Sequence, residues 1–300
     1  MKIILQKKIV LFFMLIFIKV NIYSYSWNIL MKSNTSKPTV ASSTKKDSIE
    51  PIVFNPSLLS LLSKRTFSFL VEYGKLEDLF LSLNYAQPIY RIKNSVVGCG
   101  LLYYDGGTTE VSFIENGVEK IKKISILKES LFHLNFSYYT TNKVFLFGTN
   151  LKAASSIIAE KKAAYSFSSD FSFSFLPNKK SILSLNFKNI GFSTKYDEND
   201  VELPFYINFI SNYEFCYIDF YLRPGICLDY VISQKKLLPS FSLDFEKKPI
   251  NLFFGYTFIV DDINLILGFM IDFKNYSISY SWAPSKYFNS SHKLFISYRF

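Results

Sequence analysis

From residue 66 to the C-terminus, large apolar and small polar residues alternate along the chain with a period of two. In "SFSSDFSFSF" (166–175), Phe167, Phe171, Phe173 and Phe175 share one parity, and Ser166, Ser168, Asp170, Ser172 and Ser174 the other. A β-strand points successive side chains to opposite faces, so this run has one apolar and one polar face. The same holds for Phe67, Phe69, Val71 and Tyr73 against Thr66, Ser68, Leu70 and Glu72. It holds again for Leu183, Leu185 and Phe187 against Ser184, Asn186 and Lys188. Near the end, Tyr276, Ile278, Tyr280 and Trp282 oppose Ser277, Ser279 and Ser281, and Leu294, Ile296, Tyr298 and Phe300 oppose Lys293, Phe295, Ser297 and Arg299. Helical spacing fits none of these runs.

Two architectures use such strands. A water-soluble antiparallel sandwich would carry Lys and Glu on its outer faces, whereas here the polar faces are mostly Ser and Asn. The runs also reach about ten residues, the length of a tilted membrane-crossing strand rather than of a soluble one. Beyond the first 26 residues no apolar run of about 18 residues offers a spanning helix. Only helices and closed barrels satisfy every backbone hydrogen bond in hydrocarbon, so the pattern predicts a closed barrel.

Turn signals such as "YGKLED" (73–78), "YDGG" (104–107), "ENG" (115–117), "LPNKK" (176–180), "RPG" (223–225), "EKKP" (246–249) and "FKN" (273–275) divide residues 66–300 into 14 to 16 strands. Single-chain barrels favour even numbers, and 14 is the expected count. The longer connections are expected around Asp105–Lys123, Ala154–Ala163 and Ser193–Glu202, as extracellular loops or lumen inserts. The fold class is therefore all-β, a transmembrane antiparallel up-and-down barrel over residues 65–300.

What precedes it reads differently. Lys2, Lys7 and Lys8 lead into a ten-residue apolar core, Ile9–Ile18, followed by Ser24 and Ser26, the layout of a secretory signal peptide over residues 1–26. A retained anchor is the alternative, but ten residues are too few to span. Residues 27–64 read as a flexible arm, "SNTSKPTVASSTKKDS", and then a short apolar plug or first helix, "EPIVFNPSLLSLL". The closing "HKLFISYRF", with Leu294, Ile296, Tyr298 and the terminal Phe300 in phase, has the form of the signal read by the outer membrane assembly machinery. Together these features point to the outer membrane of a diderm bacterium, with membrane lipid and the assembly machinery as partners.

Composition is consistent with this: 18% of the chain is aromatic, with 32 Phe and 21 Tyr, enough for a lipid face and its girdles. Loss of the signal would take the formal charge from +10 to +6. The lysines fall in pairs at turns, such as Lys179 with Lys180 and Lys247 with Lys248, rather than in a nucleic-acid-binding stripe. They suit solvated turns or contacts with anionic headgroups equally. Cys99, Cys216 and Cys227 are three at unrelated spacings, which argues for packing rather than a disulfide or zinc site.

No catalytic constellation emerges and no cofactor is implied. His133 and His292 are the two histidines; His133 reads as a residue packing at the lipid interface and His292 as an anchor at the rim. Asp197, Glu198, Asp200 and Glu202 lack the glycine-centred loop of a calcium site and read as a solvated loop. The informative positions are those of lumen parity. Charge is costly on the lipid face, so Glu72, Asp170, Asn186, Lys188 and Arg299 are the lumen-facing candidates, with structural ion pairing the plainer role for them. Leu70, Phe80, Phe253 and Phe295 share that parity and are unusual for a plain aqueous pore.

In order along the chain, "FNPSLLSL", "TFSFLVEYGKLEDLFLSLNYAQPI" and "VVGCGLLYYDGGTTE" resemble the N-terminal signature of the PorV/PorQ group of outer membrane proteins, relatives of the FadL-type barrels. The resemblance is carried by Asn55 and Pro56, then Tyr85, Ala86 and Pro88, then Gly98, Gly100, Tyr103 and Gly106. It continues in "GTNLKAASSIIAEKKAAYSFSSDFSFSFLP" through Gly148, Asn150, Lys152, Asp170 and Pro177, and in "KNIG", "ELP" and "SHKLFISYRF". It spans roughly residues 41–300. Ser57 and Leu58 stand where the group has an Ala-Gly pair, and the glycine-rich stretch before Asn-Pro is replaced by the arm. The resemblance implies a non-enzymatic barrel with one of two roles: a conduit for small hydrophobic molecules closed by an N-terminal hatch, or a docking and shuttle barrel for exported proteins of a type IX-like system. A purely structural surface barrel is the third alternative.

Overall fold

The computed structural model describes residues 29–30, 48–74, 78–115, 118–140, 142–159, 162–195, 202–259, 262–284 and 290–300. The expected signal peptide, nearly all of the Ser/Thr/Lys-rich arm, and Asp197, Glu198 and Asp200 lie outside these residues.

A short helix α1 (Pro51–Phe54) and a 3-10 turn (Pro56–Leu61) come first. Strands β1 (Thr66–Tyr73), β2 (Leu79–Pro88) and β3 (Ser95–Asp105) follow, then a hairpin of β4 (Thr108–Glu115) and β5 (Val118–Ser125). The long strands β6 (Leu127–Tyr139), β7 (Phe145–Ile158), β8 (Lys162–Asn178) and β9 (Ser181–Ser193) come next, then β10 (Tyr206–Tyr213) and the three-residue β11 (Phe215–Tyr217). The chain ends with β12 (Phe220–Val231), β13 (Lys236–Lys247), β14 (Ile250–Ile259), β15 (Asp262–Asp272), β16 (Tyr276–Ala283) and β17 (Ser291–Arg299).

Fourteen of these strands form one closed antiparallel ring. Sequential neighbours pair from β1 to β10 with the β4–β5 hairpin set aside, and from β12 to β17. β1 pairs with β17 (Thr66 opposite Arg299), and β10 with β12 (Tyr206 opposite Val231), which closes the wall. β11 lies outside the ring, on the end of β12 that β10 does not reach. Closure leaves the sheet no free edge, the condition for surviving in hydrocarbon.

The period-two pattern decides what faces where. β6 alternates buried and exposed along nearly its whole length, with Phe132, Leu134 and Phe136 outside and His133, Asn135 and Ser137 inside. β8 does the same, with Phe167, Phe171, Phe173 and Phe175 outside. The exterior is thus an apolar wall, and the interior is lined mainly by Ser and Asn. The two ends differ. Connections are short at the end carrying Arg65 and Phe300, whereas the other end bears the β4–β5 hairpin and the 194–205 connection. Short turns mark the periplasmic side of such barrels, so Arg65 and Phe300 sit at the periplasmic end.

Three expectations are corrected. "RPG" is not a turn: Arg223–Gly225 lies within β12, and Pro224, opposite Leu243 of β13, follows directly on the last β10–β12 pair, Asn212 with Gly225. The Ala154–Ala163 stretch is not a long connection, because β7 runs on to Ile158 and β8 begins at Lys162. His133 does not face lipid. It is fully buried inside the barrel, and its parity follows Asn135 and Ser137.

Candidate functional site: a plugged lumen

The segment from Ser48 to Leu62 crosses the interior of the barrel. Ile49, Ile52, Val53, Phe54, Leu58, Leu59 and Leu62 are all buried, as are Ile29 and Leu30 further up the chain. The apolar side chains of α1 pack on inward residues of β1, β2, β3 and β17: Leu70, Phe80, Leu102 and Phe295. A void of about 30 Å³ remains between them, room for about one water. On the far wall, Leu58 packs with Leu146, Leu176 and Ile182. The segment expected as a plug or first helix forms a short helix and a 3-10 turn, both inside the barrel.

Polar contacts fix its position. Asn55, fully buried, donates from Nδ2 to Ser184 Oγ at 2.9 Å, and its Oδ1 accepts from the hydroxyls of Ser57 (2.8 Å) and Ser172. Ser57 Oγ also lies 2.7 Å from Ser174 Oγ, and Asn150 Nδ2 donates to the Ile52 carbonyl at 2.9 Å. Further up, the Ile29 N–H donates to Glu129 Oε2, whose other oxygen accepts from Ser156 Oγ at 2.9 Å. Gly148 allows the close approach. A Cβ there would stand 2.3 Å from Pro56 C and from Ser57 N, both backbone atoms of the plug.

Beside the plug, the β8–β9 ladder carries a bulge. Ser169 pairs with Ile190 and Phe171 with Phe187, so Asp170 faces both Lys188 and Asn189. Asn189 adopts positive φ (60°), and its backbone N–H donates to Asp170 Oδ1 at 2.8 Å. Lys152 on β7 reaches Asp170 Oδ2 at 2.6 Å and donates to Asn189 Oδ1 at 3.0 Å. Both charged side chains are 1% exposed. On the adjacent strand β6, His133, the cross-strand partner of Lys152, has its Nε2 3.0 Å from Asn84 Oδ1, in space that a side chain at Gly100 would fill.

The five lumen-facing candidates do not gather at one place. Glu72 is buried, 3.3 Å from Lys293 on the adjacent β17. Asp170 sits in the bulge with Lys152. Asn186 Oδ1 lies against the Ser172 hydroxyl, and its Nδ2 donates to Asn208 Oδ1 at 2.6 Å. The Lys188 ammonium stands 5.9 Å from the centre of the Phe54 ring of the plug. Arg299 is half-buried at the periplasmic mouth. There a vestibule of about 450 Å³ opens below the plug, between Ser48, Glu50, Asn212, Glu246, Asp272 and Arg299. Arg223 bridges Glu214 and Glu246 across its wall, at 2.7 Å to each. Leu70, Phe80, Phe253 and Phe295 are all buried inside the barrel.

The sequence reading passed over Lys152 as a lumen charge, although it shares the parity of Gly148 and Asn150 and was already among the resemblance residues. Glu129 went unassigned, and Arg223 and Glu246 were read as turn residues although they lie within β12 and β13. Among the described residues, no cluster of His, Cys, Asp and Glu is arranged to hold a metal ion. Of the three cysteines, Cys227 is buried against Ile210, Cys99 is half-buried and Cys216 is exposed. His292 is exposed at the rim, its Nδ1 2.7 Å from the Tyr280 hydroxyl.

A closed fourteen-stranded ring with an apolar exterior, a polar interior and an internal plug is a transmembrane β-barrel of the outer-membrane type, and the outer membrane is where this chain resides. No family model matches the chain. No curated protein matches it either. Among solved structures it is similar to the toluene transporter TodX of Pseudomonas putida, with a TM-score of 0.60, 12% identity, and coverage of 93% of this chain and 98% of that one. It is similar also to the CymD monoaromatic hydrocarbon channel, with a TM-score of 0.56, 9% identity, and coverage of 84% and 93%. These are FadL-like barrels, and at such identities what they share with this chain is the fold.

Proposed function

We propose that the barrel is a non-enzymatic conduit for small hydrophobic molecules, closed at rest by its N-terminal plug. One observation carries this reading. In a lumen lined mainly by Ser and Asn, the wall turns apolar where it meets α1, at Leu70, Phe80, Leu102 and Phe295, and the plug covers that patch with Ile52, Val53 and Phe54. Burying such side chains against each other is favourable by about 25 cal/mol per Å², so the patch holds the plug and, when the plug withdraws, offers an apolar ligand the same surface. The shared fold with the toluene transporter TodX and the CymD monoaromatic hydrocarbon channel supports the same class of cargo.

The PorV/PorQ-type docking reading keeps one support of its own. Three residues of that resemblance, Asn55, Lys152 and Asp170, are engaged in the plug and bulge contacts. Native mass spectrometry of the full chain, extracted gently from its own outer membrane, separates the two. Bound lipid or hydrophobic small molecules with no protein partner are expected; a stoichiometric exported protein over an empty lumen would overturn the conduit in favour of docking.

A further inference from the structure

The charges of this barrel are sorted by end in a way that transport does not require. At the periplasmic end, every connection except 214–219 presents an exposed Lys or Arg: Arg91 and Lys93 after β2, Lys143 after β6, Lys179 and Lys180 after β8. The series continues around the ring with Lys247 at the end of β13, Lys248 just after it and Lys274 after β15, and closes with Lys64 and Arg65 ahead of β1; Lys180, Lys248 and Lys274 also border the vestibule. The exception, 214–219, carries Asp219, the exposed acid of this end among the described residues. The opposite end mixes the signs, with Glu110 of β4 3.7 Å from Lys123 of β5.

Two further features say what such a ring faces. It is spread around the circumference rather than gathered on one side, which suits a surrounding sheet better than a docked globular partner. It also stands directly below exposed outward-facing aromatics of the same strand ends: Phe145, Phe175, Tyr213, Phe220, Tyr276 and Phe300. Such a girdle marks the level of the lipid headgroups. Lys143 lies over the Tyr139 ring at 5.2 Å and Lys247 over the Phe220 ring at 4.7 Å, so these stems run along aromatic surface and carry their ammonium groups into that layer.

From this geometry we infer that the periplasmic end is a collar that selects anionic phospholipid headgroups from the inner leaflet of the outer membrane. A Lys or Arg at an anionic surface contributes on the order of 1 kcal/mol. A headgroup touching one collar residue is then enriched about fivefold over a zwitterionic one. Coulomb attraction of this exposed kind is screened by salt, so the preference weakens as ionic strength rises.

The test uses the full chain purified in micelles containing equal amounts of phosphatidylglycerol and phosphatidylethanolamine, with retained lipids quantified by mass spectrometry. Wild type is expected to retain severalfold more phosphatidylglycerol, less so in 0.5 M salt. Lys179→Gln, Lys180→Gln, Lys247→Gln and Lys248→Gln together are expected to abolish the preference. The same number of changes at the other end, at Lys122, Lys123, Lys235 and Lys236, is expected to leave it intact. Heat-modifiable migration on gels confirms that each variant is a folded barrel. Retention of the two lipids in the ratio supplied, or equal loss in both variants, overturns the collar. An acidic periplasmic protein bound in a salt-sensitive manner, without lipid preference, would replace the lipid with a protein partner.

Discussion

The Lys152–Asp170 pair yields the sharpest prediction. Its partners are 2.6 Å apart and 1% exposed, and the bulge adds two hydrogen bonds, Asn189 N–H to Asp170 and Lys152 to Asn189 Oδ1. Removing one partner of such a pair leaves a buried charge without compensation, which costs about 3–5 kcal/mol. Lys152→Met and Asp170→Asn are each expected to destabilise the barrel by that amount. The double variant buries no charge. It should cost much less than the sum of the single changes, with a coupling energy of about 2 kcal/mol or more. The assay is equilibrium unfolding in urea of the barrel refolded into phospholipid vesicles, followed by tryptophan fluorescence. Additive single and double effects, or single changes costing under about 1 kcal/mol, would refute the reasoning, because the pair would then be effectively solvated.

Other outcomes follow from the same contacts. Gly148→Ala places a methyl against the plug backbone, so residues 49–62 should exchange amide hydrogens faster in a folded barrel, as mass spectrometry would read. Asn55→Ala removes hydrogen bonds to Ser184, Ser57 and Ser172 and should loosen the plug by about 1–3 kcal/mol, measurable in the same exchange experiment. On the lipid face, Phe171→Lys is expected to cost about 2–4 kcal/mol in vesicle unfolding, whereas Phe171→Leu should cost far less. At the C-terminus, the Phe300 N–H donates to the Arg65 carbonyl and its ring packs against Tyr298. Deleting Phe300 removes both contacts and should lower the amount of folded barrel in outer membrane fractions, with normal levels in the deletion strain refuting that these contacts matter.

Strand parity, and with it the inward or outward direction of most side chains, was legible in the sequence because a strand's period is local: each residue's neighbours two away report its face. That is why a count of 14 to 16 strands and the inward positions of Glu72, Asp170, Asn186 and Lys188 follow from reading the chain. The same rule would have turned His133 inward; it was misplaced by judging its residue type instead of the phase set by Phe132 and Leu134. What no local pattern contains is the pairing of distant segments. Which strands close the ring, β1 on β17 and β10 on β12, depends on tilt and register summed around the whole sheet. The bulge that aims Asp170 at Lys152 depends on one extra residue in β9 relative to β8. The plug's place depends on a glycine in β7 and serines in β8 and β9 that lie about 90 to 130 residues away. The collar is likewise invisible as a run of sequence, because its lysines are dispersed at turns and become neighbours when the closed barrel brings every second turn to the same end.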